Sequence, residues 1–300
     1  MSYYDLGTYS RKITTRSPEA QTWFDRGLIW VCAYNHEEGI RCFKKALEHD
    51  PDCAMAHWGV SYASGPNYNL PWELLDPNGR TNALAASYDA MQKALACAAG
   101  TTPMERALIG ALPVRYPQRE PIEDMSGWNK AFTKTMRGLF AQYPADLDVR
   151  CVFVEAIMNE TPWQMWNLET GQPTEGAGTE EAMKVLEEGF ETIAASWNHP
   201  GLLHLYVHLM EMSPFPQKAL RAGDRLRLFL QGRWSRVQLL WRSDRSLFFL
   251  FAGESPTRTH SITRRALERL SSAGLMQPLE ARSLVLRAVD RMMRDLAPRS

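Results

Sequence analysis

The strongest constraint on the fold is a run of apolar residues at helical spacing from 18 to 49, interrupted once at Tyr34-Asn35 and stopped by Asp50-Pro51. Apolar positions three and four apart share one helix face, so residues 18–33 predict an amphipathic helix. Asn35 followed by Glu38 has the pattern of a capping box, a side-chain acceptor with an acid three residues on. It opens a second helix over 36–49 with Ile40, Phe43, Ala46 and Leu47 inward, and Asp50-Pro51 ends it. A turn this short makes the two helices antiparallel neighbours.

The same alternation of helix and breaker continues. A third helix runs from Ala54 to Gly65-Pro66. Further helices are predicted over 82–100, 103–112, 126–143, 146–158 and 179–196, with Asp146 and Thr179 as caps. Residues 113–124 and 163–178 read as connections. Strand signals are almost absent. The expected fold class is all-α, an α-solenoid of antiparallel helix pairs.

One predicted helix carries unusual chemistry. In His199-Pro-Gly-Leu-Leu-His204-Leu-Tyr-Val-His208-Leu-Met-Glu211, the residues His204, His208 and Glu211 lie four and seven apart, on one face. Leucine, tyrosine, valine and methionine fill the rest of the circumference, so the helix is expected to be buried. Its imidazoles then need partners. Three readings fit: a satisfied polar network, a small-molecule or peptide pocket, or ligands for a divalent transition metal such as zinc, copper or iron. In the metal reading the set is His199, His204, His208 and Glu211, with His199 folding back from the helix start. Leu205 stands where a metalloprotease helix needs its glutamate, so that chemistry is not expected.

Composition narrows the class. Hydrophobic residues are 45% and charged residues 23% of the chain, enough for a packed core. The net charge of zero is uneven: from Ala219 to Ser300 there are 16 arginines, no lysine and 7 acids, a net +9. Those arginines lack the interleaved aromatics of a nucleic-acid module, so no nucleic-acid partner is expected. Neither a secretory signal nor a membrane span is legible. The five scattered cysteines form no CxxC pair, which predicts reduced thiols and a cytoplasmic location. No Gly-x-Ser-x-Gly elbow occurs, and Gly171, Gly176 and Gly178 follow no strand.

Placing Pro51 as a closing proline sets Trp23, Gly27 and Trp30 along the first helix and Phe43 and Ala46 along the second. This resembles a tetratricopeptide repeat, with Gly39 and Arg26 as departures. A weaker second unit has His57 and Ser61 at the early aromatic and small positions. Several phrases resemble more narrowly a bacterial and fungal group of such proteins: Asn35-His36-Glu37-Glu38, Ala56-His57-Trp58-Gly59, Gly65-Pro66-Asn67-Tyr68-Asn69, Glu155-Ala156-Ile157-Met158-Asn159 with Pro162-Trp163, and the His-Pro-Gly helix.

That resemblance covers roughly residues 15–227 and implies a tetratricopeptide-like domain over 1–227. It also implies a ligand-binding set of His36, His57, Asn67, Glu155, Asn159 and Trp163. The second histidine-rich segment of the group is missing, so residues 228–300 are expected as a divergent, Arg-rich segment, helical or partly disordered, with helical periodicity over 261–296. The implied function is a scaffold binding a protein or small-molecule partner on a concave face, without catalysis. The alternative is a metal-dependent enzyme or metal-binding accessory protein of a specialised-metabolite pathway using His204, His208 and Glu211.

Overall fold

The computed structural model describes residues 3–4, 6–214, 225–230, 232–242, 248–252 and 259–278. The chain is mostly helical and divides into two units, Met1–Pro214 and Phe215–Ser300.

The first unit contains nine α-helices among its described residues: α1 (Pro18–Cys32), α2 (His36–His49), α3 (Ala54–Ser64), α4 (Pro77–Cys97), α5 (Pro103–Arg115), α6 (Ser126–Gln142), α7 (Leu147–Met158), α8 (Thr179–Thr192) and α9 (Pro200–Glu211). Each packs on the next in sequence, and α9 also rests against α1 and α7. The reason for close packing is visible at α2. A Cβ at Gly27 of α1 or Gly59 of α3 would lie 2.6 and 2.7 Å from the Phe43 ring, so only glycine lets the ring wedge between both helices. Phe24, Phe43 and Ala46 are buried around it.

The predicted boundaries hold with instructive exceptions. Asn35 accepts the Glu38 backbone N–H as expected, but the Glu38 carboxylate accepts from the Tyr3 hydroxyl instead of closing the box. Helix α4 starts at Pro77 rather than residue 82, because Asp76 caps it and proline suits the first helical position. Helix α5 runs through Pro113 to Arg115, three residues beyond the expected end at Leu112. Thr179 does not cap α8: it is the first helical residue, and its hydroxyl donates to the Met165 carbonyl. The predicted helix over 179–196 ends at Thr192, followed by a 3₁₀ turn over Ala194–Asn198.

The second unit corrects the helical reading of the tail. Five antiparallel strands form one sheet in the order β4-β3-β2-β1-β5: β1 (Arg225–Leu230), β2 (Arg233–Arg242), β3 (Phe248–Ala252), β4 (Thr259–Thr263) and β5 (Met276–Pro278). Its core holds Leu228, Val237, Leu239, Phe249, Phe251 and Ile262, with Leu267 of the one described helix there, α10 (Arg264–Ser272). Val237 with Leu239, and Phe249 with Phe251, alternate with period two, the pattern of a half-buried strand. Gly232, at φ +79°, turns β1 into β2. The boundary expected at residue 227 therefore falls inside β1. Of the helical expectation over 261–296, α10 accounts for 264–272, and 279–296 lies outside the described residues.

Among the described residues, no helix is long and apolar enough to cross a membrane. All five cysteines are free thiols.

Candidate functional site

Helix α9 starts with His199 as its N-cap. The His199 Nδ1 accepts the Leu202 backbone N–H at 3.2 Å, and Pro200 occupies the first turn, where its missing N–H costs nothing. With Nδ1 accepting, Nε2 carries the proton and donates to Asp148 Oδ1 at 3.2 Å. The other Asp148 oxygen accepts from the Tyr9 hydroxyl at 2.8 Å and pairs with the Arg11 guanidinium, which also contacts Asp146 at 3.0 Å. Burial alone would raise the Asp148 carboxyl, but His199 and Arg11 outweigh it and hold it well below the usual carboxylate range. Both ring nitrogens of His199 are engaged, so it is a structural residue and not a metal ligand.

One and two turns further on, the helix presents a different arrangement. The His204 Nδ1 lies 2.7 Å from the Cys32 carbonyl at the end of α1, and the His208 Nδ1 lies 2.7 Å from Glu211 Oε1. A carbonyl and a carboxylate only accept, so both Nδ1 atoms carry hydrogen. The two Nε2 atoms then face each other at 2.9 Å. Burial, with His208 close by, pushes His204 down to about 4, which keeps it neutral at physiological pH.

Aromatic rings surround this pair. Tyr34 lies 4.5 Å from His204, 5.6 Å from His208 and 5.5 Å from His36, ring centre to ring centre. Tyr68 and Trp163 lie 5.5 and 6.2 Å from His208 and 5.2 Å from each other. Tyr34 and Trp163 have φ of +57° and +63°, the left-handed region, and are the only such non-glycine residues among those described. Tyr34 sits where α1 ends, a position at which glycine is usual.

Beside His204 is a cavity of about 30 Å³, room for about two waters. His204, Tyr34, Tyr62, Cys32, Cys151 and Glu155 are among its lining. The Tyr62 hydroxyl donates to the buried Glu155 carboxylate. Burial pushes Glu155 up from its ordinary value, against Arg115 and Tyr62, which favour the ionised form. Arg115 lies over the Tyr62 ring at 4.6 Å and donates to the Pro66 carbonyl at 2.6 Å. The Tyr34 hydroxyl is buried with no hydrogen-bond partner in the protein. The cysteine sulfurs close the other wall: a Cβ at Gly201 would lie 2.5 Å from the Cys151 sulfur and 2.9 Å from that of Cys32.

Of the residues expected from sequence, His36, Trp163, His204, His208 and Glu211 meet around Tyr34 and Tyr68, and Glu155 lines the cavity with His204. The rest have other work. The His57 Nε2 contacts the Pro51 carbonyl at 2.9 Å. Asn67 makes an Asx turn, accepting from the Asn69 and Leu70 N–H groups. Asn159 is buried, its carbonyl accepting from the Asn129 side chain at 3.3 Å and its Oδ1 unpartnered. Among the described residues no three His, Cys, Asp or Glu side chains form a group able to hold a metal. The four-ligand set therefore does not assemble; two converging imidazoles remain. Tyr34, Tyr62, Arg11 and Asp148 were not singled out from sequence. Only Tyr34 had a local signal, an aromatic residue in the turn before a cap.

No protein-family model matches the chain, and no curated protein matches it.

Proposed function

We propose that the first unit is a tetratricopeptide-like helical scaffold that binds a small molecule or a peptide side chain at a mouth centred on His208. One observation carries this reading. Among the described residues, the two non-glycine residues held in left-handed backbone both bring their rings toward His208. Such a conformation costs about 1–3 kcal/mol per residue and concentrates at ligand sites, where geometry outranks stability. The polarity of the mouth agrees. Trp163 is 45% exposed and the Glu211 side chain 43%, whereas that of His208 is 14% exposed. An exposed indole and a carboxylate that both border His208 suit a flat or cationic group, which stacks on one and pairs with the other.

The test uses protein labelled with 5-fluorotryptophan, the Trp163 fluorine signal being assigned with a Trp163→Phe variant. A fragment set of amidines, guanidines and quaternary ammonium ions is titrated in. Saturable movement of the Trp163 signal, lost in Glu211→Gln, is expected. If no fragment moves that signal, or fragments move all tryptophan signals alike, the mouth is not a binding site.

A further inference from the structure

The face-to-face imidazoles carry a second inference, independent of the Trp163 mouth. With both Nδ1 atoms donating outward, two Nε2 lone pairs point into one gap of 2.9 Å. Like-charged lone pairs repel, so a cation belongs between or beside them: either a shared proton or a metal ion. Geometry separates the candidates. Metal–nitrogen bonds of about 2.0–2.1 Å set at a right angle put their nitrogens about 2.9 Å apart, whereas a tetrahedral angle needs about 3.4 Å. The ring centres lie 4.7 Å apart with planes 26° from parallel, two rings side by side on successive turns.

We propose that His204 and His208 chelate one divalent copper or nickel ion through Nε2, in adjacent positions of a square-planar or octahedral sphere. Right-angled coordination with nitrogen and oxygen ligands is the preference of these ions, while zinc favours the wider tetrahedral angle. The outer partners are those of a working site. Imidazole ligands usually donate the second N–H to a carbonyl or carboxylate, which fixes the ring and raises its basicity. Here the Cys32 carbonyl serves His204 and Glu211 serves His208. Protein supplies two ligands, so the remaining positions are open to water or to a bound molecule. The second histidine segment expected from the resemblance is not needed for such a chelate.

The experiment adds one equivalent of copper(II) to the tag-free full chain at neutral pH. Electron paramagnetic resonance with spin-echo modulation then counts the coordinated imidazoles through their distant nitrogens. Two equatorial imidazoles are expected in the wild type. His208→Ala should leave one and weaken binding at least about tenfold. Glu211→Gln should keep two but lose about tenfold in affinity, the effect of removing an outer-shell partner. One imidazole or none in the wild type overturns the proposal and leaves the shared proton as the bridge. Retention of two imidazoles in His208→Ala overturns it as well. Circular dichroism melts of both variants confirm that the folded chain is being read. A silent Trp163 in the fragment titration leaves this result untouched.

Discussion

The two ends of helix α9 use histidine in opposite ways. At the start, His199 is fully enclosed and both ring nitrogens have partners, one on the backbone and one on Asp148. Five and nine residues on, each imidazole is satisfied on one side only, and the unsatisfied nitrogens meet. Residue type and helix are the same; what differs is what the neighbouring helices offer. Helix α7 brings Asp148, an acceptor whose charge Arg11 balances, to the first end. At the second end, α1 brings only the carbonyl of Cys32. A network that closes on itself is architecture, and one left open at a defined point is a place for something else.

Breaking the closed network should have the largest effect. Arg11→Met leaves Asp148 buried without its guanidinium and should cost about 3–5 kcal/mol in urea denaturation. A loss under about 1 kcal/mol would mean that His199 and Tyr9 suffice, and the contrast between the ends would weaken. Next comes Gly201→Ala, between the ends. Its methyl group meets both the Cys151 and Cys32 sulfurs, so a loss of about 1–3 kcal/mol is expected. Cys151→Ala in the same chain should recover most of it, as a double-mutant cycle would reveal.

Acid separates the two regions without a large structural change. His36 is held down to about 4, chiefly by burial. Between about 6.5, its unfolded value, and 4, only the unfolded chain takes up that proton, so stability falls as pH drops through this window. Asp148 has a folded value below its unfolded one, so its contribution is intact above about pH 4 and is lost only as pH falls further. His36→Asn should flatten part of the upper limb of the stability–pH curve, the rest coming from His204, which burial also holds near 4, and Asp148→Asn should flatten the lower limb. Exchange of those assignments would refute the burial argument. The smallest effect should come from Trp163→Gly. Release of the left-handed backbone offsets loss of a half-exposed ring, and stability should change by no more than about 0.5 kcal/mol. A Tm displaced by many degrees would make Trp163 a core residue and sink the mouth reading.

Much of the helical frame was legible because its signals are local. Asn35, Asp146 and Pro51 mark boundaries through contacts within a few residues, and Gly27 with Phe43 announces a close crossing. The strands were not legible as a group. Each is short, and the arginines of β1 and β2 read as a charge run until alternate residues are seen to share one core. The site was half legible. The spacing of His204, His208 and Glu211 predicts a shared face, and they do interact. That His199 belongs to another network depends on Arg11 and Asp148, which lie far away in the chain and carry no motif.

The contact between Cys32 and His204 joins residues 172 positions apart. At a synthesis rate of about 5–20 residues per second, α1 waits about 10–35 s for its partner to be made. During that interval, helices α1 to α3 can already pack around Phe43, but the flank of α1 that will receive α9 stays uncovered and open to chaperones. The imidazole pair is thus among the last features to form, and a nascent chain stopped before Pro200 would have the framework without the pair. Formation of the pair therefore marks the docking of α9 and the completion of the first unit.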